Sequence, residues 1–371
     1  MYLKIAFLSI MIFVLQHVIR IIYWMGYHLH YYQHYPGSCY QVEGIEFGSW
    51  DIHTLLDGTT FITSGVCMSL LSQSFHAHYK NTNAVGSVYL MSLNQTIPTV
   101  TRLEIISQSE DFKVETFRPH GISVWPDYLS GQHLIYVVNH PLKEANRVEK
   151  FRFDPAQQSL YHLKTYTSSK LRLVYDVQAL GEDSFYATNI LYEQKVRFFM
   201  VLELFSLMPW SSVVLYREDI GFKEVLTGLT SVTGIVMSKC GNFIYVVMSL
   251  SCEIRVYSHQ KDDSLILQQS YPLFTHPDNA VIDPVSGDLF IGSHPIAYQF
   301  LNHIDNPGRH KAASQVLHVR LMEGNITTVT ELLYDDGDLI SGSTAAVVYS
   351  KKLLVGSAFD KLVICDVSVP I

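Results

Sequence analysis

A six-bladed β-propeller preceded by an N-terminal transmembrane helix is the fold predicted by the sequence. Three observations point to it. A turn centred on Gly or Asp, followed by a short β-rich run, recurs six times. An apolar segment of 21 residues, 5–25, stands at the N-terminus. And 48% of the 371 residues are hydrophobic while only 16% are charged, against about 25% charged in ordinary soluble domains. Such a composition excludes intrinsic disorder. The net charge of −8, with no basic run, excludes a nucleic-acid footprint.

The N-terminal segment is interrupted only by Gln16, His17 and Arg20. At about 1.5 Å per residue it spans about 31 Å, the thickness of a hydrocarbon core. No small-x-small cleavage pattern follows its apolar part, so an uncleaved signal-anchor is expected, with a cleaved signal peptide as the rival. This divides the chain into a cytoplasmic stub (1–4), an anchor (5–25), a juxtamembrane segment (26–38) and a luminal or extracellular domain (39–371). Two glycosylation sequons, at Asn94 and Asn325, have meaning only on that side. The Tyr- and His-rich tract 27–35 suits the headgroup interface.

The repeat begins after Asp57-Gly58 (TTFITSG) and returns after Gly131 (QHLIYVVNH), Gly181 (EDSFYATN), Gly241 (NFIYVVMS), Gly287 (DLFIGSHP) and Lys351-Lys352 (LLVGSAF). Each run is short, bounded by turn residues and rich in Val, Ile, Tyr and Phe, as strands are. The spacing of about 59 residues accommodates one four-stranded blade with generous loops. A β-sandwich is the alternative, though it would rarely use so many strands.

A propeller must close its ring. Cys39 precedes the first strand and Cys365 lies in the last, so joining them would clamp the two ends and close a very long loop. Cys240 and Cys252 flank a strand, which at about 3.3 Å per residue holds them too far apart to bridge. Cys67 has no evident partner. One disulfide and three free, mostly buried thiols are expected. The segment 195–208 (KVRFFMVLELFSLM) reads as a helix ended by Pro209, too short to span a bilayer. It would cover the top of the propeller, lie on a membrane, or sit buried under a loop.

Several blocks carry a resemblance. They are CYQVEGIEFGSWDIHTLLDGTTFITSG from Cys39, FRPHGIS at 117–123, VVNHP at 137–141, SFYATN at 184–189, PDNAVIDPVSGDLFIGSHP at 277–295 and KLLVGSAFDKLVICDV at 352–367. Collinear over nearly the whole luminal part, they resemble the paraoxonase/arylesterase family. The resemblance implies a six-bladed propeller with a disulfide clasp, here Cys39 and Cys365. It also implies two calcium ions in the tunnel and a histidine dyad above the catalytic one.

Carried over position by position, the structural calcium site falls on Asp51, Asp176 and the carbonyl of Ile122, donors that suit a hard cation. The catalytic site keeps Asp278 and Asn279. Its glutamate position is Trp50, and two asparagine positions are Tyr175 and Thr233. An indole offers no oxygen, and calcium takes about 6 to 8. High-affinity binding there is not expected. The dyad positions are His120 and His140, whose water-activating role would lack the metal's polarising charge. The family's free cysteine position is Ser293. No other catalytic motif is present: GxSxG, HExxH, CxxC and P-loop patterns are all missing from the sequence.

The resemblance is strongest to membrane-anchored nematode members that assist degenerin/epithelial-sodium-channel subunits. It implies a non-catalytic accessory protein or chaperone for such a channel, in the endoplasmic reticulum or at the cell surface. The alternative is a calcium-dependent arylesterase or lactonase. A third reading is a carrier of hydrophobic ligands.

Overall fold

The computed structural model describes residues 2–45, 48–65, 85–141, 144–193 and 196–370. Cys67 and the start of the expected helix at Lys195 lie outside the described residues.

Each turn-plus-strand unit read from the sequence becomes the second strand of one blade. Blade 1 is β2 (Asp51–Thr54), β3 (Thr59–Ser64), β4 (Ser87–Ser92) and β5 (Val100–Arg102). Blade 2 is β7 (Pro119–Trp125), β8 (Leu134–Asn139), β9 (Arg147–Asp154) and β10 (Ser159–Tyr166), with β6 (Glu104–Ile106) added in parallel at its outer edge. Blade 3 runs from β11 (Val174–Gly181) through β12 (Ser184–Asn189) and β13 (Ser211–Arg217) to β14 (Gly221–Leu229). Blade 4 runs from β15 (Val232–Met237) through β16 (Phe243–Met248) and β17 (Glu253–His259) to β18 (Leu265–Pro272). Blade 5 runs from β19 (His276–Ile282) through β20 (Leu289–His294) and β21 (Ser314–Met322) to β22 (Asn325–Asp335).

Blade 6 closes the ring. Its strands β23 (Ser343–Tyr349), β24 (Lys352–Ser357) and β25 (Val363–Asp366) are completed by β1 (Cys39–Gln41) from the other end of the chain. Cys39 pairs with Cys365 across this seam, and the two form a disulfide over a separation of 326 residues. The second strands are almost wholly buried because blades cover both their faces, and they read as continuous apolar runs. Between blades the core is aliphatic and aromatic: Phe61, Ile122, Ile135 and Phe151 meet at one junction, and Val236, Tyr245, Val247 and Ile291 at another.

Two helices lie at the end of the ring where the first strands begin. Helix α2 (Arg197–Ser206) connects the second and third strands of blade 3, and α3 (Ala297–Asp305) does the same in blade 5. Helix α2 is shorter than the sequence segment. Leu207 takes a left-handed conformation at its end, just before Pro209. Met200 is buried while Phe198, Phe199 and Leu202 are exposed, so the helix covers the propeller with one face and presents an apolar one outward.

Helix α1 (Tyr2–Trp24) is apolar and long enough to cross a membrane. It starts three residues earlier than the expected anchor, so residues of the expected stub continue it. Its C-terminal end is held by the propeller. The Trp24 indole N–H donates to the Leu250 carbonyl at 3.0 Å, and His276 Nε2 donates to the Trp24 carbonyl at 3.0 Å. His17 reaches the Phe205 carbonyl of α2 at 3.1 Å. The Tyr/His tract packs on the ring too: Tyr27 stacks on Tyr298, Tyr31 stacks on Tyr334, and His34 bridges to Tyr334.

The thiols differ in part from expectation. Cys240 and Cys252 are free, but Cys240 is exposed, because it sits in the tight turn before β16 rather than in a strand.

Candidate functional site

The tunnel wall is built by β-bulges. In five first strands the ladder skips: His120-Gly121, Tyr175-Asp176, Asp278-Asn279 and Thr344-Ala345 each place two residues opposite one, and β15 slips by one residue at Thr233. A bulge breaks the strict alternation of a strand, so successive side chains stay near one site. Two tiers result. The upper tier carries Trp50, His120, Tyr175, Thr233 and Asp278, all lining one cavity. The lower tier carries Asp51, Gly121, Asp176, Gly234 and Asn279, and a side chain at Gly121 would lie 2.7 Å from Asp176 Oδ1.

The lower tier repeats one construction twice. Asp51 accepts from its own neighbour Ile52 N and from Ile122 N of the next blade, both at 2.8 Å. Asp176 accepts from Val177 N at 2.7 Å and from Ile235 N of the next blade at 2.8 Å. The amides of Asp51 and Asp176 in turn donate to Thr63 and Thr188 on the second strands. Ile122 thus meets Asp51 through its amide, while the resemblance assigns its carbonyl to the ion. Burial pushes the Asp51 carboxyl up to about 7, with Asp278 adding repulsion. Burial and the neighbouring Asp51 carry Asp176 well above the usual carboxylate range. Two buried carboxyls forced together need a shared proton or a cation between them, so Asp51 and Asp176 fit one hard cation.

The upper tier does not fit a second. Trp50 is buried, its N–H donates to the Gly65 carbonyl at 3.0 Å, and its ring lies 4.6 Å from that of His120 and 5.3 Å from that of Phe359. Asn279 donates to the Trp50 carbonyl at 3.5 Å. Tyr175 uses its carbonyl to accept from His120 Nδ1 at 2.8 Å, and Thr233 donates to the Pro277 carbonyl at 3.3 Å. Asp278 Oδ2 accepts from His294 Nε2 at 2.9 Å. Asp278 Oδ1 and Asn279 Oδ1 are buried without a partner. Among the described residues, no group of three or more His, Cys, Asp or Glu side chains stands at metal-holding spacing.

His120 and His140 face each other edge to face at 5.4 Å. His140 donates from Nδ1 to Asn146 at 2.7 Å, and its Nε2 has no partner. Burial holds the His140 imidazole down to about 4 and, with His140 beside it, keeps His120 well below the ordinary histidine range. Both are neutral at physiological pH, and His140 offers a bare nitrogen, the form a general base needs.

Above this tier lies a cavity of about 970 Å³, walled by α2, α3 and the anchor residue Trp24. Phe300, Phe359, His294 and Trp24 join the site without any signal in the sequence. The one legible trace was glycine: Gly121 and Gly234 sit within the slipped strands where blade backbones approach closely.

A model of the Arylesterase family matches residues 34–367. The chain belongs to the paraoxonase/arylesterase family. Serum paraoxonase/arylesterase 2 of Gallus gallus is 37% identical over 89% of this chain and 88% of the relative. Serum paraoxonase/arylesterase 1 of Homo sapiens is 35% identical over the same shares, and serum paraoxonase/lactonase 3 of Mus musculus is 35% identical over 89% of each. Among solved structures, a luciferin-regenerating enzyme matches with a TM-score of 0.50 at 10% identity, covering 90% of this chain and all of that one. It is similar in fold alone. In this chain the lower tier of the tunnel holds two buried acids and the upper tier a buried indole.

Proposed function

We propose that this chain is a membrane-anchored arylesterase-family protein that binds without hydrolysing. In this reading it serves as a chaperone or accessory protein for a channel of the degenerin/epithelial-sodium-channel type. Its propeller stands on the luminal or extracellular side of the endoplasmic reticulum or plasma membrane. The observation that carries the reading is Trp50, whose indole fills the upper tier against His120 and Phe359. The anchor docked through Trp24 supports it. So do the sequons: Asn94, in the connection between the third and fourth strands of blade 1, and Asn325, at the start of the fourth strand of blade 5, are exposed, at the end of the ring opposite α1. Sugars there would leave the membrane-facing end free.

Purified full-length protein is expected to show no calcium-dependent turnover of phenyl acetate or an aliphatic lactone. Calcium-dependent turnover abolished by Asp278→Ala would overturn the non-hydrolytic reading. Deleting the protein should lower the surface level of a co-expressed channel subunit; unchanged levels and currents would remove the partner.

Asp51 and Asp176 would hold one calcium ion, whose charge offsets the repulsion between them. A ligand bound only by the folded state at about 100 times its Kd adds about 2.7 kcal/mol. Chelation should therefore lower the unfolding midpoint, and Asp176→Asn should remove that response. A midpoint indifferent to calcium in the wild type would exclude the ion.

A second reading, calcium-dependent hydrolysis of aryl esters or lactones, draws on the relatives' names. It is favoured by the unpartnered Asp278 Oδ1 and Asn279 Oδ1 and by the bare His140 Nε2. The hydrolysis assay separates the two.

A further inference from the structure

In the upper tier one oxygen of a buried carboxyl has no partner in the protein. Asp278 is 2% exposed, lines the cavity, and has one oxygen with no partner. The other is taken by His294, whose ring stacks on Phe300 at 3.4 Å. Trp50, Phe300 and Phe359 pack as one cluster beside it. An aromatic wall around a buried carboxylate oxygen is the donor set that recognises an alkylated ammonium. The ring faces attract the cation electrostatically, and such a cation needs no hydrogen bonds to replace its hydration.

The remainder of the cavity selects in the same sense. Among the described residues lining it there is no lysine or arginine; of its two carboxyls, Glu144 is paired with Arg147 and Asp278 keeps one oxygen unpartnered. A carboxylate or phosphate ligand would be buried there with no lysine or arginine to pair it. A neutral apolar ligand would leave Asp278 Oδ1 unanswered. Leu171, Leu191, Met200, Leu204 and Ile304 line the outer part, which provides an apolar sleeve for the body of the ligand.

We propose that the cavity binds an organic cation, a quaternary or tertiary ammonium on an apolar body, with the ammonium against Trp50 and Asp278 Oδ1. The inference rests on the non-hydrolytic reading above, since it gives Asp278 Oδ1 to a ligand other than a metal. The same chemistry is carried by free aryl- or alkyl-ammonium compounds and by the choline headgroup of a lipid.

Phenyltrimethylammonium and its neutral isostere tert-butylbenzene test it, titrated calorimetrically into full-length protein in a maltoside detergent. The cation should bind saturably and about tenfold or more tighter than the isostere. Asp278→Asn should bring the two probes level, and Trp50→Leu should weaken the cation with little change for the isostere. Equal binding of the two probes, or no saturable binding, overturns the proposal in the wild type alone, whatever the variants do to folding. Calcium displacing the cation competitively also overturns it, by returning Asp278 to a metal. Phosphatidylcholine vesicles that compete with phenyltrimethylammonium, against phosphatidylglycerol vesicles that do not, assign the source to lipid; choline competing alone assigns it to a free ligand. Turnover of phenyl acetate with calcium would sink the underlying reading; absent turnover with absent cation binding sinks this inference only.

Discussion

Acidification from pH 7 to pH 5 is expected to destabilise the calcium-saturated propeller by about 4 kcal/mol from two histidines alone. His53 and His140 are both held down to about 4 by burial, against about 6.5 in an unfolded chain. The folded state therefore binds fewer protons than the unfolded one between these values, and stability rises with pH through that window. It is fully present above about 6.5 and falls away toward 4. At pH 5 each group contributes a loss of about 2 kcal/mol. His120, His133, His276 and His303 are shifted in the same direction and steepen the fall. The carboxyl pair moves the other way. Asp51 and Asp176 are raised, so without calcium they take up protons on acidification, which favours the folded state and offsets part of the loss. Urea unfolding at the two pH values, with calcium and with chelator, should show the larger drop with calcium. Equal stability at pH 5 and pH 7 would mean that these histidines are solvated.

Reducing the Cys39–Cys365 bond, or replacing Cys365 with serine, should lower stability by up to about 5 kcal/mol. The bond joins residues 326 apart, and the chain-entropy cost of an unfolded loop that long is of this order. For a domain of this size the midpoint moves by about 6 °C. The register of β1 on β25 survives without the sulfur, because Tyr40 and Gln41 still pair with Ile364 and Val363, so the variant should fold and bind the same probes. An unchanged midpoint would show that the strand seam alone closes the ring.

The ring was legible in the sequence because every blade announces its second strand in the same way. A tight turn is followed by a run such as FIYVVM or LFIGSH, buried on both faces. The disulfide followed from where Cys39 and Cys365 stand. The slipped first strands were not legible, since a bulge is a relation between two strands, and Tyr175-Asp176 looks like any other pair of residues until Val174 and Val177 are matched to Asn189 and Ala187. The cavity wall was hidden for a related reason: Trp24, Trp50, Asp278, Phe300 and Phe359 come from four distant stretches of chain. Composition suggested the headgroup layer for the Tyr/His tract but not its stacking on the ring, where Tyr27 and Tyr31 meet Tyr298 and Tyr334.

The hold on Trp24 has a mechanical consequence. A tether of loose residues lets its cargo spin and tilt, but here the end of α1 donates to Leu250, accepts from His276 and is followed by stacked tyrosines. It acts as a mount with no swivel. Whatever surface takes up the apolar helix therefore meets the ring in one rotational setting, with the cavity mouth down and both sequons up. A neighbour in that surface would always find the same blades turned toward it.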